Sequence, residues 1–435
     1  FIDNGFSLGT SSIVNDASND YVSWAWKAGG NKNTFNKDDV GYASASDVNM
    51  SVGSLNSAVY NTSAIWSGMM SGPSNSGSYT SLFDGTDGDA GGYEQPTDGN
   101  TLTFTPTGGI TATSSIEIYA YQSASTYAGS ADITVNGSSI KTGAVQSALG
   151  TGAAGGYVNI GTTSLTTLTW SNPSGSNNDY RLMAIKVDGK ILVDSNQTPP
   201  NAPSIAVTGA SVNTKSKFGI YTWNGHGSSN ETLAHGLGAK PDFMICKKKS
   251  TGGNNWVIWH KSIGATEYLM FTTAAAATDA TLFNSHTNDS DNLWSLGTNN
   301  SISDTGQSAV AYLWCDVPGM QKFGTYEGNN NADGVFVELG FRPSILLIKR
   351  VDNTDDWFLY DGTRRPINVN SRYLRPNSSA VENTGDGAGT GLDLLSNGFK
   401  IRSDSSAINA AETYIYAAWA EAPTIDLYGG GANAR

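Results

Sequence analysis

The chain has 435 residues, with 51 Gly and 13 Pro, 38% hydrophobic and 10% aromatic residues, and only 14% charged residues. There is ample apolar material for several cores, and the Ser/Thr/Asn/Gly-rich remainder suits short strands joined by turns, so an all-β, multidomain protein is expected. The net charge of −13, with no basic run longer than Lys247–Lys249, leaves no phosphate-tracking surface, and no apolar stretch approaches the ~20 residues of a membrane span. Neither a nucleic-acid partner nor membrane insertion is expected.

The first readable element is YVSWAW, residues 21–26. Val22, Trp24 and Trp26 alternate with Tyr21, Ser23 and Ala25, which predicts a half-buried strand. Residues 31–54 are turn-rich and read as a linker. From residue 55 to 196 the text is strand-like throughout: TLTFTP, SSIEIYAYQ, ADITVNG, YVNIG, LTTLTW and YRLMAIKVDGKILVDS. Asp188-Gly189 between two apolar alternating runs predicts a tight hairpin. The size and strand spacing suit one jelly-roll sandwich. A Pro-rich linker, 197–216, follows it.

After residue 216 the sequence repeats itself. KFGIYTWNG from Lys217 matches KFGTYEGN from Lys322, and LGAKPDFMICKKK from Leu237 matches LGFRPSILLIKR from Leu339. Trp256 then faces Trp357, His260 faces Asp361, and Tyr268 faces Tyr373. Each copy closes on a loop and an aromatic strand, giving units at 217–319 and 320–424, each suited to one β-sandwich or half of a larger one. A Gly/Ala-rich tail, 425–435, ends the chain. Residues 3–30 align without gaps to the two closing segments: Phe6 with Trp294 and Phe399, Val22 with Val310 and Ile415, Trp26 with Trp314 and Trp419. Residues 1–30 are therefore expected to be the closing strands of a further, upstream copy, and the chain to be the C-terminal part of a longer protein.

No chemistry-bearing constellation emerges. Cys246 and Cys315, each in an apolar strand, read as small buried hydrophobes. His226, His235, His260 and His286 lack metal-ligand spacing, and His260 is replaced by Asp361 in the sister copy. No nucleophile elbow or phosphate loop is present, and carboxylates such as Asp355 and Asp361 read as a solvated loop as well as they read as a glycosidase pair. No enzymatic activity is expected. Sugar binding is easier to motivate, because aromatic platforms beside Asn/Asp groups match the apolar faces and hydroxyl edges of saccharides. Trp223 with Asn224, and Tyr93 with Trp66 and Tyr79 in the stretch 55–196, are the candidates, against the alternative that these rings are core or trimer-interface residues.

The segments KAGGN…DDVGYA, TGASVNTKSKFGIYTWNG, HGLGAKPDFMICKKK, NNWVIWH, FGTYEGN, LGFRPSILLIKR, LLSNGFKIR and YIYAAWAEAP together resemble a repeated domain of structural proteins of marine tailed bacteriophages, tail fibres among them. The resemblance covers about residues 1–50 and 205–435. It implies lectin-type sandwiches (concanavalin A-like or laminin G-like), a homotrimer, a place in the virion beside other virion proteins, and attachment to a host cell-surface glycan or lipopolysaccharide. It supplies no catalytic residue. A capsid-decorating protein, a bacterial surface adhesin and a polysaccharide-degrading tail spike are the alternatives. The stretch 55–196 resembles, more loosely, galactose-binding, discoidin-like modules, in which a DG turn helps to hold structural calcium. On that resemblance Asp84, Thr86, Asp87 and Asp89 would supply the hard oxygen ligands that calcium takes; otherwise they form an Asp/Gly-rich surface turn.

Overall fold

Among the described residues alternating apolar stretches become strands, and helices are confined to single turns such as Ser12–Asn15 and Ser406–Asn409. A computed structural model of the chain describes residues 5–45, 48, 59–60, 64–75, 78–85, 94–122, 132–140, 154–172, 180–197, 203–250, 252–384 and 388–420. The protein is all-β, built of sandwiched sheets.

The middle region is a two-sheet sandwich. One sheet runs Ala154–Asn159, Ile116–Gln122, Tyr180–Val187, Lys190–Leu192, Val59–Tyr60; the other runs Met70–Ser71, Asn100–Phe104, Leu168–Asn172, Asp132–Val135, Ser138–Ser139. Inward residues of both, among them Ile118, Ile133, Phe104 and Trp170, form a core of their own. Trp66 belongs to that core, and the Tyr79 hydroxyl donates to the Gly72 carbonyl at 2.5 Å, so neither ring stands free as a platform. The predicted hairpin forms: Asp188 and Gly189 both take positive φ, 51° and 76°, between Val187 and its partner Lys190, as a two-residue turn requires. Asp188 also accepts the backbone N–H groups of Thr113, Ser114 and Ser115, which holds its carboxyl well below the usual carboxylate range. The ends of the sandwich are sewn together where Asp194 accepts the Ser67 N–H at 3.0 Å and the Ser195 N–H donates to Ala64.

The first repeat is centred on a nine-stranded sheet: Val40–Tyr42, Phe35–Lys37, Gly209–Asn213, Phe218–Asn224, Ser308–Trp314, Phe243–Lys248, Val257–His260, Glu267–Met270, Ala277–Thr278. Both predicted linkers contribute strands here. Phe35–Lys37 pairs in parallel with Gly209–Asn213, and Phe35, Ala210 and Val212 are buried. The middle sandwich is thus an insertion between two adjacent strands of one sheet. The linker reading fails because strands of three to five residues are too short to announce a period of two.

The second repeat has a four-stranded sheet, Gln321–Glu327, Thr413–Ala420, Pro343–Arg350, Trp357–Asp361, backed by Phe336–Glu338, Gly398–Ile401 and Leu392–Leu395. Alternation divides its residues cleanly. Tyr326, Leu346, Phe358 and Tyr414 face the small sheet and form one core. Phe323, Leu347, Trp357, Ile415 and Trp419 face the opposite way and join the core of the first repeat. Phe243 stacks on Phe323 at 5.4 Å, Trp314 meets Trp419 at 5.9 Å, and the Trp357 indole N–H donates to the Met270 carbonyl at 2.8 Å. The two repeats therefore fold on a shared interior, in which each fully buried ring contributes about 1.5–3 kcal/mol.

The repeats are not superposable strand for strand. Phe243 and its counterpart Ile345 lie opposite Trp314 and Trp419 alike. Phe218 also faces Trp314, but Trp419 faces Gln321, and Phe323 faces Ala417. The opening strand of the second repeat is slid by two residues, the smallest shift that keeps its inward face inward. Gln321, placed inside by that slip, donates to the carbonyls of Ser216 at 2.8 Å and Cys315 at 2.6 Å.

Residues 21–28 depart from the predicted strand. They are extended without a ladder among the described residues, yet the expected face persists: Trp24, Trp26 and Ala28 are half-buried while Ser23, Ala25 and Lys27 are exposed. Val22 is exposed.

Candidate binding surface at the tip of the first repeat

The strand Phe218–Asn224 decides what reaches the surface. Trp223 is fully buried; its N–H donates to the Ile302 carbonyl at 3.1 Å and its ring meets Trp294 edge-on at 5.2 Å. A sugar cannot stack on it, which corrects the expectation for this residue. Tyr221 and Trp223 lie on the buried face of this strand, and Ile220 and Thr222 on the partly open one; alternation alone does not say which face is which. Asn224, the next residue, is exposed at the strand end opposite Ser308. Tyr93, Thr86, Asp87 and Asp89 lie outside the described residues; Asp84 is half-buried. Among the described residues no group of three or more His, Cys, Asp or Glu side chains is placed to hold a metal ion.

From Asn224 the chain turns through Gly225, whose missing side chain matters. A Cβ there would lie 2.4 Å from the Ser303 backbone carbon. The turn is pinned to the facing loop by Gly225 N–H to Gln307 O at 2.9 Å, Gly306 N–H to Gly225 O at 2.8 Å, and Thr305 Oγ1 to His226 O at 2.9 Å. His226 is thereby held outward, about half exposed, with its Nδ1 3.1 Å from a carboxylate oxygen of Glu231. Burial raises the Glu231 carboxyl and the histidine lowers it again, the burial effect being the larger.

Beside this pair is the most strained backbone of the repeat. Asn284, Ser285 and His286 are three consecutive non-glycine residues with φ of 47°, 52° and 55°, a left-handed run that costs about 1–2 kcal/mol per ordinary residue. What holds it lies beneath. His286 is sandwiched between Trp259 at 4.1 Å and Phe283 at 5.1 Å, and its Nδ1 lies 2.7 Å from Asp289 Oδ2. Asp289 also accepts the Ser295 N–H at 2.7 Å; despite burial, the net effect of these bonds and of His286 is to lower its carboxyl. Above this buried stack Asn284 donates to Asn230 Oδ1 at 2.9 Å and to Thr287 Oγ1 at 2.7 Å, Asn230 itself being left-handed at φ 60°. The tip thus presents a rigid set of amides and hydroxyls flanked by an imidazole–carboxylate pair. Its chemistry suits hydroxyl-rich ligands. Sequence reading passed over Asn284 and Ser285; the only trace is that Asn, in FNSHTND, tolerates left-handed φ better than most residues.

The remaining sequence candidates have structural partners. Asp361 is paired with Arg364 and accepts its N–H, while Asp355 lies near Arg350. Cys246 and Cys315 are buried free thiols, with burial pushing the first far up and the second up to about 12. His235 and His260 are buried and lowered to about 4 by desolvation. Each accepts the N–H two residues on through Nδ1, at 3.1 Å, and has Nε2 3.1 Å from a carbonyl: that of Ser290 for His235, that of Tyr416 for His260.

A family model described as a domain of unknown function, DUF7483, matches residues 194–423. Its span takes in both repeats as one unit, as their shared core does. Comparison with curated proteins and with solved structures finds no match.

Proposed function

Because the chain belongs to the DUF7483 family, whose function is unknown, we propose a role from the residues alone: a structural, surface-facing module that binds glycans through the tip of its first repeat. The observation that carries this reading is the strained turn Asn284–His286, whose left-handed backbone is held by a buried His–Asp pair packed against two aromatic rings, with Asn284 and Ser285 half-buried beside exposed Asn230 and Thr287. Strain of this kind persists where the surroundings over-determine it, commonly at binding sites. Asn284 gives its amide hydrogens to Asn230 and Thr287, which fixes the orientation of its Oδ1, an acceptor that suits a sugar hydroxyl.

With Trp223 and Trp294 buried, the tip offers hydrogen bonds and little stacking. Single-site affinity is then low, and useful attachment requires many copies engaged together. A virion appendage such as a tail fibre supplies that multiplicity, and the resemblance of the repeat to phage structural proteins favours this setting, with a homotrimer, neighbouring virion proteins and a host glycan or lipopolysaccharide as partners. The inserted sandwich would act as a spacer or a second recognition unit.

The test is a glycan array probed with the 435-residue chain, followed by titration of the best binder. Binding is expected, weakened about tenfold by Asn284→Ala without loss of folding. A flat response across host polysaccharides would sink the reading. Release of reducing ends from host capsule would replace it with that of a depolymerising tail spike.

A further inference from the structure

A cavity of about 650 Å³ lies between residues 23–26 and the main sheets of both repeats, within the range of about 300–1,000 Å³ usual for small-molecule sites. Ile220, Ile245 and Tyr312 of the first repeat and Leu359 of the second line it, together with tryptophan and phenylalanine rings, and no charged side chain does. A second cavity of about 470 Å³ adjoins it, for Ala25, Trp26, Phe218 and Trp419 line both. Trp26 stands at that junction, its ring 6.2 Å from Trp314 and 5.2 Å from Trp419.

The second cavity adds charge of one sign. Lys27, Asn213, Lys215, Ser216 and Gln321 line it. In a chain of net charge −13 neither cavity is lined by a carboxylate side chain, and among the described residues the two lysines are the only charged groups that line them. Lys27 is paired with Asp39 at 2.7 Å, both exposed. Lys215 is exposed and has no ion pair among the described residues.

The apolar space is one that the other repeat fills with protein. Ile245 and Tyr312 are only half-buried, whereas their counterparts Leu347 and Ala417 are 6% and 2% exposed and belong to the core shared by the repeats. Covering such a surface gains about 25 cal/mol for each Å² removed from water. Shape decides between occupants. Residues 23–26 partly roof the space, so a slender flexible chain enters where the face of a folded partner, a second copy included, does not. An apolar space that runs into positive charge alone fits an amphiphile with a single anionic head.

We propose that the two cavities form one binding site for a long-chain fatty acid, with its hydrocarbon chain against Ile220, Ile245 and Tyr312 and its carboxylate at Lys215, Lys27 lying alongside. The site is separate from the tip that carries Asn284, and the proposal does not depend on glycan binding.

The test titrates the 435-residue chain with octanoate, decanoate and dodecanoate, each below its micelle concentration, following tryptophan fluorescence and counting bound molecules by native mass spectrometry. Trp24, Trp26, Trp314 and Trp419 line the space, so occupancy shifts the emission. Saturable binding of one molecule per chain is expected, tightening about fourfold for each methylene that becomes buried. Lys215→Gln is expected to weaken dodecanoate about threefold and to leave dodecan-1-ol unchanged. Ile245→Arg, its folding checked by near-ultraviolet circular dichroism, is expected to abolish binding of both, and Ile220→Arg takes its place if it does not fold. Absence of saturable binding, affinity that does not rise with chain length in the unaltered protein, or binding that survives the arginine substitutions would overturn the proposal. So would an equal effect of Lys215→Gln on acid and alcohol, which would remove the carboxylate from its place. Self-association in sedimentation that dodecanoate does not reverse would make a second copy the occupant instead.

Discussion

The two repeats answer the same design problem differently. In the second, the tip is tied down by side chains. Fully buried Asn409 donates to Asn329 Oδ1 at 2.9 Å, Asn331 O at 2.8 Å and Ser403 O at 2.7 Å, while Arg350–Glu412, Arg364–Glu382 and Lys400–Asp333 pairs fasten the periphery. In the first, the tip is held from beneath by His286, Asp289 and Trp259, and Asn284 bridges to Asn230 above them. All four histidines of the chain belong to the first repeat. The difference teaches that the repeat motif specifies the interior, where Phe243, Phe323, Trp314 and Trp419 meet, and leaves the tips free to diverge.

The strongest challenge to that picture is Phe243→Ala. Phe243 is 1% exposed and lies against Trp314, Phe323, Trp419 and His260. Truncating a ring of this kind costs about 3–5 kcal/mol. If the interior is shared, calorimetry of the variant shows one transition, lowered for both repeats together. A first repeat that melts early beside an unshifted second would break the claim of a common core.

A smaller effect follows from acid. His235 and His260 are held neutral in the fold, at about 4, while the unfolded chain binds a proton near 6.5. Between those values the unfolded state carries more protons, so stability is complete above pH 6.5 and is lost as pH falls towards 4. The loss is on the order of 3 kcal/mol per histidine at most. Glu231, raised by burial, works in the opposite direction. Urea unfolding at pH 7.5 and 4.5 checks the size, and His260→Gln, which retains a donor and an acceptor, is expected to flatten the slope. A slope unchanged in that variant would show that His260 binds its proton alike in the folded and the unfolded chain.

How far the sequence carries can be judged at particular residues. The repeat frame was legible because aromatic, Pro and Gly positions recur, and the Asp188-Gly189 hairpin because its turn chemistry is local. Phe35–Lys37 and Gly209–Asn213 were not, since so few residues show no period and their pairing with each other spans an entire inserted domain. Trp223 was misread because alternation reports two faces without saying which of them is covered. The two-residue slip at Gln321 was invisible for a related reason: it changes no side chain's face. The strained turn at Asn284 arises from tertiary support by His286 and Asp289, which local sequence does not disclose.

The finest comparison sets Ser285 against Asn330, left-handed residues at φ 52° in the first and second repeats. Glycine relieves the strain of such a position, at about 1–2 kcal/mol, but gives back roughly 0.5–1 kcal/mol through the greater freedom of the unfolded chain. Ser285→Gly is expected to raise stability by about 0–1.5 kcal/mol, and Asn330→Gly by less because asparagine tolerates this conformation. Their effects on binding should differ. Loosening the turn that presents Asn284 weakens glycan binding, whereas loosening the second tip leaves it untouched. Thermal melting together with array titration separates the two, and equal binding by both variants would mean that the strain at Ser285 serves packing alone.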